Sequence, residues 1–319
     1  MRLVRHLADM PYQQLRDGSV VTIGAFDGIH LGHQQLLQRV VEIAHETGRP
    51  AVAMSFEPTP KEFFLRDSPP ARLMRFREKY DALDDRQIDL FFCPRFNAAM
   101  RDISAAAFIR QILVHGLNAR HLVVGDDFRF ARRREGSLDQ LLRVGPVLGL
   151  HVEQVPSIIV DGIRVSSTAI REALADGDIA RATALLGRPY RMSGRVVAGR
   201  RVGRSLGYPT ANVDLRRRQS AVKGIYAVRV HGLPEGPIDG VASVGTRPTF
   251  DLTKPLLEVH LFDFDRDIYG DYIHVDFIEH LRDEERFDSI ERLVAQMRRD
   301  EENARSALTT AANPAGSRT

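Results

Sequence analysis

At 319 residues, 43% hydrophobic and 27% charged, the chain has the length of roughly two domains and can bury a real core. A net charge of +3 is too small to argue for a nucleic-acid scaffold, and no apolar run approaches the roughly 20 residues of a membrane span. Cys93 is the single cysteine, which excludes intrachain disulfides and thiolate metal clusters. The opening MRLVRHLADMPYQQL lacks a signal-peptide apolar core, so a cytoplasmic protein is expected.

Val20 to Ile23 reads as a buried strand, and Leu36, Leu37, Val40, Val41 and Ala44 recur at helical spacing up to a stop at Gly48. Between them lies Gly24-Ala25-Phe26-Asp27-Gly28-Ile29-His30-Leu31-Gly32-His33, a strand-to-helix turn. His30 and His33, at i and i+3, share one side of the first helical turn, where unpaired N–H groups favour polyphosphate. One reading is nucleotidyl transfer from a nucleoside triphosphate. The other is that one histidine caps the turn while its partner packs.

Ala51 to Phe56 reads as a second strand running into Glu57-Pro58-Thr59-Pro60. Residues 75–86 read as helix, Ile88 to Phe92 as strand and Ile103 to Leu117 as helix. Leu122 to Val124 is a strand ending in Gly125-Asp126-Asp127-Phe128-Arg129-Phe130. Strand and helix alternate to about residue 186, which predicts a doubly wound parallel sheet with ligands beyond the strands' carboxyl ends. His33, Pro58 and Asp126 all follow strands and are expected in one cleft. Ser166-Ser167-Thr168-Ala169-Ile170-Arg171 reads either as an ordinary N-cap with a surface arginine or as part of a phosphate clamp.

From Gly187 to Gly194 the texture changes to that of a linker. Short strand-like runs follow at 194–198, 224–230, 238–244, 255–262 and 272–278, as in a small barrel or sandwich. Asp288 to Arg299 reads as a helix, and Ser306 to Thr319 as a frayed tail. Gly199, Gly203 and Gly207 are spaced by four ahead of Pro209-Thr210-Ala211-Asn212. That loop suits phosphate binding, and an extended Thr210 and Asn212 would offer two neutral oxygens to a hard cation such as Mg²⁺. The alternative is a glycine-rich hairpin. Glu258 and His260 share a strand face, where Glu258 is either a general base or merely solvated. Arg132 to Arg134 and Arg216 to Arg218 are read as solvated or phosphate-facing loops. There is no G-x-x-x-x-G-K-[ST], no H-E-x-x-H and no protein-kinase motif set.

As an ordered set, GAFDGIHLGH (24–33), FEPTP (56–60), GDDFRF (125–130), VSSTAIR (165–171), GRSLGYPTANV (203–213), VKGIYAV (222–228), GTRPTF (245–250), LEVHLFDFDRDIYG (257–270) and RDEERF (282–287) resemble the bacterial bifunctional riboflavin kinase/FMN adenylyltransferase family, over about residues 15–305. The resemblance implies an α/β doubly wound nucleotidyltransferase domain (1–186), then a small antiparallel β-barrel flavokinase domain with a C-terminal helix (187–305) and a disordered tail (306–319). It implies ATP and Mg²⁺ as requirements, with riboflavin, FMN and FAD as substrates and products. Gly24, Phe26, His30, Gly32 and His33 would hold ATP phosphates, with Ser166, Ser167, Thr168 and Arg171. Pro58, Pro60, Asp127 and Phe128 would face FMN. In the kinase half, Gly199, Gly203, Gly207, Pro209, Thr210 and Asn212 would position Mg·ATP, with Thr210 and Asn212 towards the metal. Glu258 would take the ribityl proton, and Arg282, Glu285 and Phe287 would line the flavin pocket.

Two departures stand out. Ala131 replaces a usual glycine, which disfavours a positive φ there, and Ser243 stands where asparagine is common. The resemblance gives no nucleic-acid or membrane partner and leaves the oligomeric state open. An adenylyltransferase for another phosphorylated metabolite with a non-catalytic barrel is the main alternative. A binding-only flavoprotein, or a synthetase-like RNA binder lacking a KMSKS-type loop, is further off.

Overall fold

The computed structural model describes residues 1–199, 207–248 and 253–312. The chain divides into two compact units, Met1–Pro70 with Phe76–Ser166, and Ala71–Arg75 with Ser167–Thr319.

The first unit is built on six parallel strands: β1 (Arg2–Val4), β2 (Ser19–Ile23), β3 (Ala51–Met54), β4 (Leu90–Phe92), β5 (Ala119–Gly125) and β6 (His151–Val155), in the order β1-β4-β3-β2-β5-β6. Every residue of β2, β3 and β4 is buried, as expected for strands covered on both faces. Helix α1 (Leu31–Thr47) buries Leu37, Val40, Ile43 and Ala44 and stops at Gly48, φ +65°. Helix α2 (Phe76–Asp84) realises the helix expected over 75–86. The expected helix 103–117 forms as Ala105–Ala107 continuing into a π-helical Phe108–Gly116. The chain leaves β2 for β3 on one side and leaves β5 for β6 on the other. The winding therefore reverses between β2 and β5, and the crevice outside their carboxyl ends is the fold's binding position.

In the second unit, β7 (Tyr190–Val197), β8 (Ala211–Asp214), β9 (Gly224–His231), β10 (Ile238–Pro248), β11 (Thr253–Leu261) and β12 (Tyr272–Arg282) close a barrel in the order β7-β8-β11-β10-β9-β12. All its neighbours are antiparallel. Alternation puts Leu257, Val259 and Leu261 inside with Val213, Val228, Val275 and Phe277, and turns Glu258 and His260 outward. Between barrel or sandwich, the barrel is the outcome. Strand β7 starts at Tyr190, inside the stretch expected as a linker, and β8 was not foreseen as a strand.

Helices α3 (Ser167–Ala175) and α4 (Ile179–Leu186) pack together, and α4 lies on β7 and β12. Helix α5 (Ile290–Ala312) buries Ala304, Ala307 and Leu308 against Ala227 and Phe262. Residues 306–312, expected as the start of a frayed tail, are therefore helix. Burial of Leu308 contributes about 1.5–3 kcal/mol and explains why this end holds. Among the described residues, no helix is long and apolar enough to cross a membrane.

Candidate functional site

The histidine turn occupies the carboxyl end of β2, beside the winding reversal. Phe26 (φ +48°), Gly28 (φ +88°) and Ile29 (φ +42°) take left-handed conformations in quick succession. Phe26 and Ile29 are fully buried, so packing holds a backbone that the residue types disfavour. A Cβ on Gly24 would stand 3.0 Å from the Phe26 ring, and one on Gly32 3.4 Å from His30 Nδ1. His30 is the N-cap of α1, its Nδ1 accepting from the His33 amide at 3.3 Å. The two imidazoles stack at 3.7 Å, 18° from parallel, and the Phe26 ring meets His33 edge-on at 5.3 Å. His30 therefore does cap the turn, and capping is what brings both rings together at the helix start.

Burial, then His30, then the Lys79 ammonium of α2 hold the His33 pKa well below 6.5. Lys79 is 3% exposed. Its sequence signal is a lysine on the apolar face of a short amphipathic helix, which the motif reading passed over. The His33 Nδ1 is buried without a protein partner among the described residues. The unpaired N–H groups and partial positive charge of a helix start favour an anion.

Strands β3, β2 and β5 are neighbours, so the turns after them lie side by side, as expected for His33, Pro58 and Asp126. After β3, Pro60 opens a short helix, Pro60–Phe64, whose Thr59 cap and Glu62 form a capping box. Phe56, Phe63 and Phe64 there meet Phe96 edge-on at 5.2–6.0 Å. Phe64 is 62% exposed, and this aromatic surface beside Pro58 was legible only as an aromatic-rich stretch, EPTPKEFF. After β5, Asp127 reaches Arg164 at 3.0 Å, and Arg164 also bonds Asp126 at 3.0 Å and Ser157 at 2.8 Å. Phe128 stacks on Phe130 at 5.5 Å. Arg164 was not singled out, although it stands just before the serine-rich helix start. Ala131 takes φ +63°, ψ −170°, so the expectation that alanine avoids a positive φ there is corrected.

Ser166 is the last residue of the first unit; in the second, Ser167 opens α3 and Thr168 is exposed. Arg171 donates to the Ala71 carbonyl at 2.6 Å and to the Ser167 carbonyl at 3.0 Å. Arg217 is 7% exposed and donates to the carbonyls of Arg72 and Leu73 and to the Tyr190 hydroxyl, at 2.8–3.2 Å. That corrects the solvated or phosphate-facing reading for Arg217, while Arg216 and Arg218 are exposed. Arg132 to Arg134 are exposed.

On the barrel's outer face one row carries the second constellation. Asn212 of β8 pairs in register with Glu258 of β11, which pairs on its other side with Ser243 of β10. The Ser243 departure therefore falls beside Glu258. Asn212 is 6% exposed, and a Cβ on Gly199 would collide with its amide. His260 Nδ1–H donates to the Pro209 carbonyl at 2.9 Å, and its ring meets Tyr208 at 5.1 Å. His260, merely noted as sharing Glu258's face, thus anchors the Pro-Thr turn over that row. Gly207 takes φ +84° at the turn's start, and Thr210 immediately precedes β8. Gly203 lies outside the described residues.

Arg282 is held by Asp300 of α5 at 2.7 and 2.8 Å, with its guanidinium 5.8 Å from the Phe287 ring centre. Glu284 and Glu285 are both exposed, and Glu284 lies 3.8 Å from Lys223 and against Gly245. The hydroxyl of Thr210 and the amide oxygen of Asn212 are hard, neutral oxygen donors of a kind that suits Mg²⁺. No cluster of three or more His, Cys, Asp or Glu able to hold a metal occurs among the described residues.

The family model for FAD synthetase matches residues 12–169, and that for riboflavin kinase matches 186–308. The chain is 46% identical to the bifunctional riboflavin kinase/FMN adenylyltransferase of Escherichia coli (strain K12), covering 96% of this chain and 97% of that one. It is 43% identical to the protein of that description from Pseudomonas fluorescens, covering 98% and 100%. A crystal structure described as a macrolide-efflux protein from Streptococcus pneumoniae superposes with a TM-score of 0.80 at 31% identity, covering 95% of this chain and 98% of that one.

Proposed function

Because the chain belongs to the bifunctional riboflavin kinase/FMN adenylyltransferase family, we propose that its barrel phosphorylates riboflavin to FMN and its N-terminal domain joins FMN to AMP, giving FAD and pyrophosphate. The observation that carries the reading is that each unit has its own cluster of matched motif residues, a histidine-capped helix start in one and the Asn212–Glu258 row in the other. By chemistry, adenylyl transfer is assigned to residues 1–186 and the kinase step to the barrel domain that begins at 187.

Adenylyl transfer needs no protein nucleophile, because the FMN phosphate attacks the α-phosphorus. Gly24, Phe26, His30, Gly32 and His33 would seat the triphosphate, and their task is positioning and stabilising charge on departing pyrophosphate. Ser166, Ser167, Thr168 and Arg171 are assigned to the same nucleotide by the motif they match. Pro58, Pro60, Asp127 and Phe128 are assigned to FMN, and the exposed ring of Phe64 supports a flat partner there.

In the barrel, Glu258 would remove the proton of the ribityl 5′ hydroxyl. Gly199, Gly203, Gly207 and Pro209 would wrap the nucleotide, while Thr210 and Asn212 would hold Mg²⁺, which when bound neutralises phosphate charge. Arg282, Glu285 and Phe287 are assigned to the flavin. A cytoplasmic location accords with ATP as the substrate. Incubation with riboflavin, ATP and Mg²⁺ should yield FMN and then FAD, and excess EDTA should stop both. Absence of either product with Mg²⁺ present would count against the reading.

A further inference from the structure

At the amino ends of β5 and β6, opposite the histidine turn, the first unit has a groove of about 580 Å³ that none of this chemistry uses. That is within the roughly 300–1,000 Å³ typical of small-molecule pockets. Its lining includes Arg49, Arg120, His121, His151, Leu142 and Leu150, and contains no carboxylate. His121 and His151 are register partners whose ring centres lie 5.3 Å apart. Leu142 leaves 46% of its surface exposed along one wall.

Both arginines are set in place by the backbone. Arg49 donates from Nε to the Asp17 carbonyl at 2.8 Å, fixing its head at the rim. Arg120 lies in a channel between two glycines: a Cβ on Gly18 would overlap its stem, and one on Gly149 would stand 3.0 Å from Nη1. Both glycines have positive φ, +99° and +68°, so the channel depends on glycine twice over. Glu153, the acid whose charge acts on His121, is taken up by Arg39 at 2.6 and 3.1 Å. Burial, then His151, Arg49 and Arg39, lower the His121 pKa, against an opposing pull from Glu153, as a positive field requires.

Two guanidinium groups and two imidazoles offer more donors than the two oxygens of a carboxylate can use, but suit the three oxygens of a phosphate monoester. Leu142 and Pro146 provide an apolar wall for a ring. We propose that this groove is a second small-molecule site of the N-terminal unit, built for an organic phosphate with a flat apolar body.

The test is amide NMR of the ¹⁵N-labelled full chain titrated with 1-naphthyl phosphate. Saturable shifts are expected at Arg120, Gly149, Leu150 and His151, with none there from 1-naphthol at the same concentrations. Arg120→Gln should weaken binding at these amides by about tenfold, the loss of one charge-assisted contact, and leave FMN and FAD formation unchanged. Leu142→Asp, at an exposed position, should weaken it as well. Absence of shifts at these amides at millimolar probe, or unchanged affinity in Arg120→Gln, overturns the proposal.

Discussion

Ala131 sits at φ +63°, ψ −170°, a region that glycine occupies readily and alanine enters at about 1–3 kcal/mol. Glycine there loses back roughly 0.5–1 kcal/mol of unfolded-chain entropy, so Ala131→Gly should stabilise the protein by about 1 kcal/mol, seen as a higher denaturation midpoint. A lower midpoint would mean the backbone is not strained. His33 supplies a second residue-scale test. Its folded pKa is depressed, so below pH 6.5 the unfolded chain takes up a proton that the folded one refuses. Its contribution to stability is present above pH 6.5 and is lost as pH falls towards the folded pKa. Denaturation of His33→Asn should accordingly depend less steeply on pH between 7 and 5 than that of the parent, and equal slopes would contradict the assignment. The sequence motif located both residues. It did not disclose that the Ala131 backbone is forced by its surroundings, nor that Lys79 acts on His33, since that lysine lies 46 residues on and meets the ring only through the fold.

At the level of elements, the pattern signals were sound for a helix that buries one face and for strands that are continuous apolar runs. Helix α1 and strands β2, β3 and β5 emerge close to where periodicity put them. Short pieces stabilised by distant partners were not legible: β1 is three residues long and depends on β4, and β8 is four residues long and depends on β7 and β11. The end of α5 was missed because the small and polar residues from Ser306 on, Ala307 among them, read as tail until the barrel face that buries Ala307 and Leu308 is known. Arg282 illustrates the same limit, since a motif assigns it to flavin while Asp300, 18 residues on, binds it at both nitrogens. Asp300 is 6% exposed at its side chain and Arg282 21%, so Asp300→Ala should cost about 2–3 kcal/mol, the low end for a broken buried pair. Replacing both, Asp300→Leu with Arg282→Met, should recover most of that loss. Urea denaturation of the two variants beside the parent checks it, and a neutral Asp300→Ala would show that α5 is held by its apolar face alone.

For the whole molecule, the order of motifs along the chain carried the fold class and both activities, because each motif marks a turn that only one kind of neighbourhood accommodates. What order could not convey is where the compact units part. Helices α3 and α4 belong with the barrel unit through Ala182, Leu185 and Leu186, which are buried. Ala71–Arg75 joins it too, through Arg171, Arg217 and a hydrogen bond from Arg75 to Tyr272. Such long-range polar contacts leave no periodic trace. The central claim is a division of labour between two catalytic constellations, and crossed substitutions test it most directly. Give His33→Ala and Glu258→Ala, each folded, either riboflavin or FMN with Mg·ATP, and quantify the products. His33→Ala should accumulate FMN and make no FAD. Glu258→Ala should lose riboflavin phosphorylation by about 10²–10⁴-fold yet convert supplied FMN to FAD at the parent rate. If either single substitution abolished both conversions, the two steps would share one site and the account would be wrong.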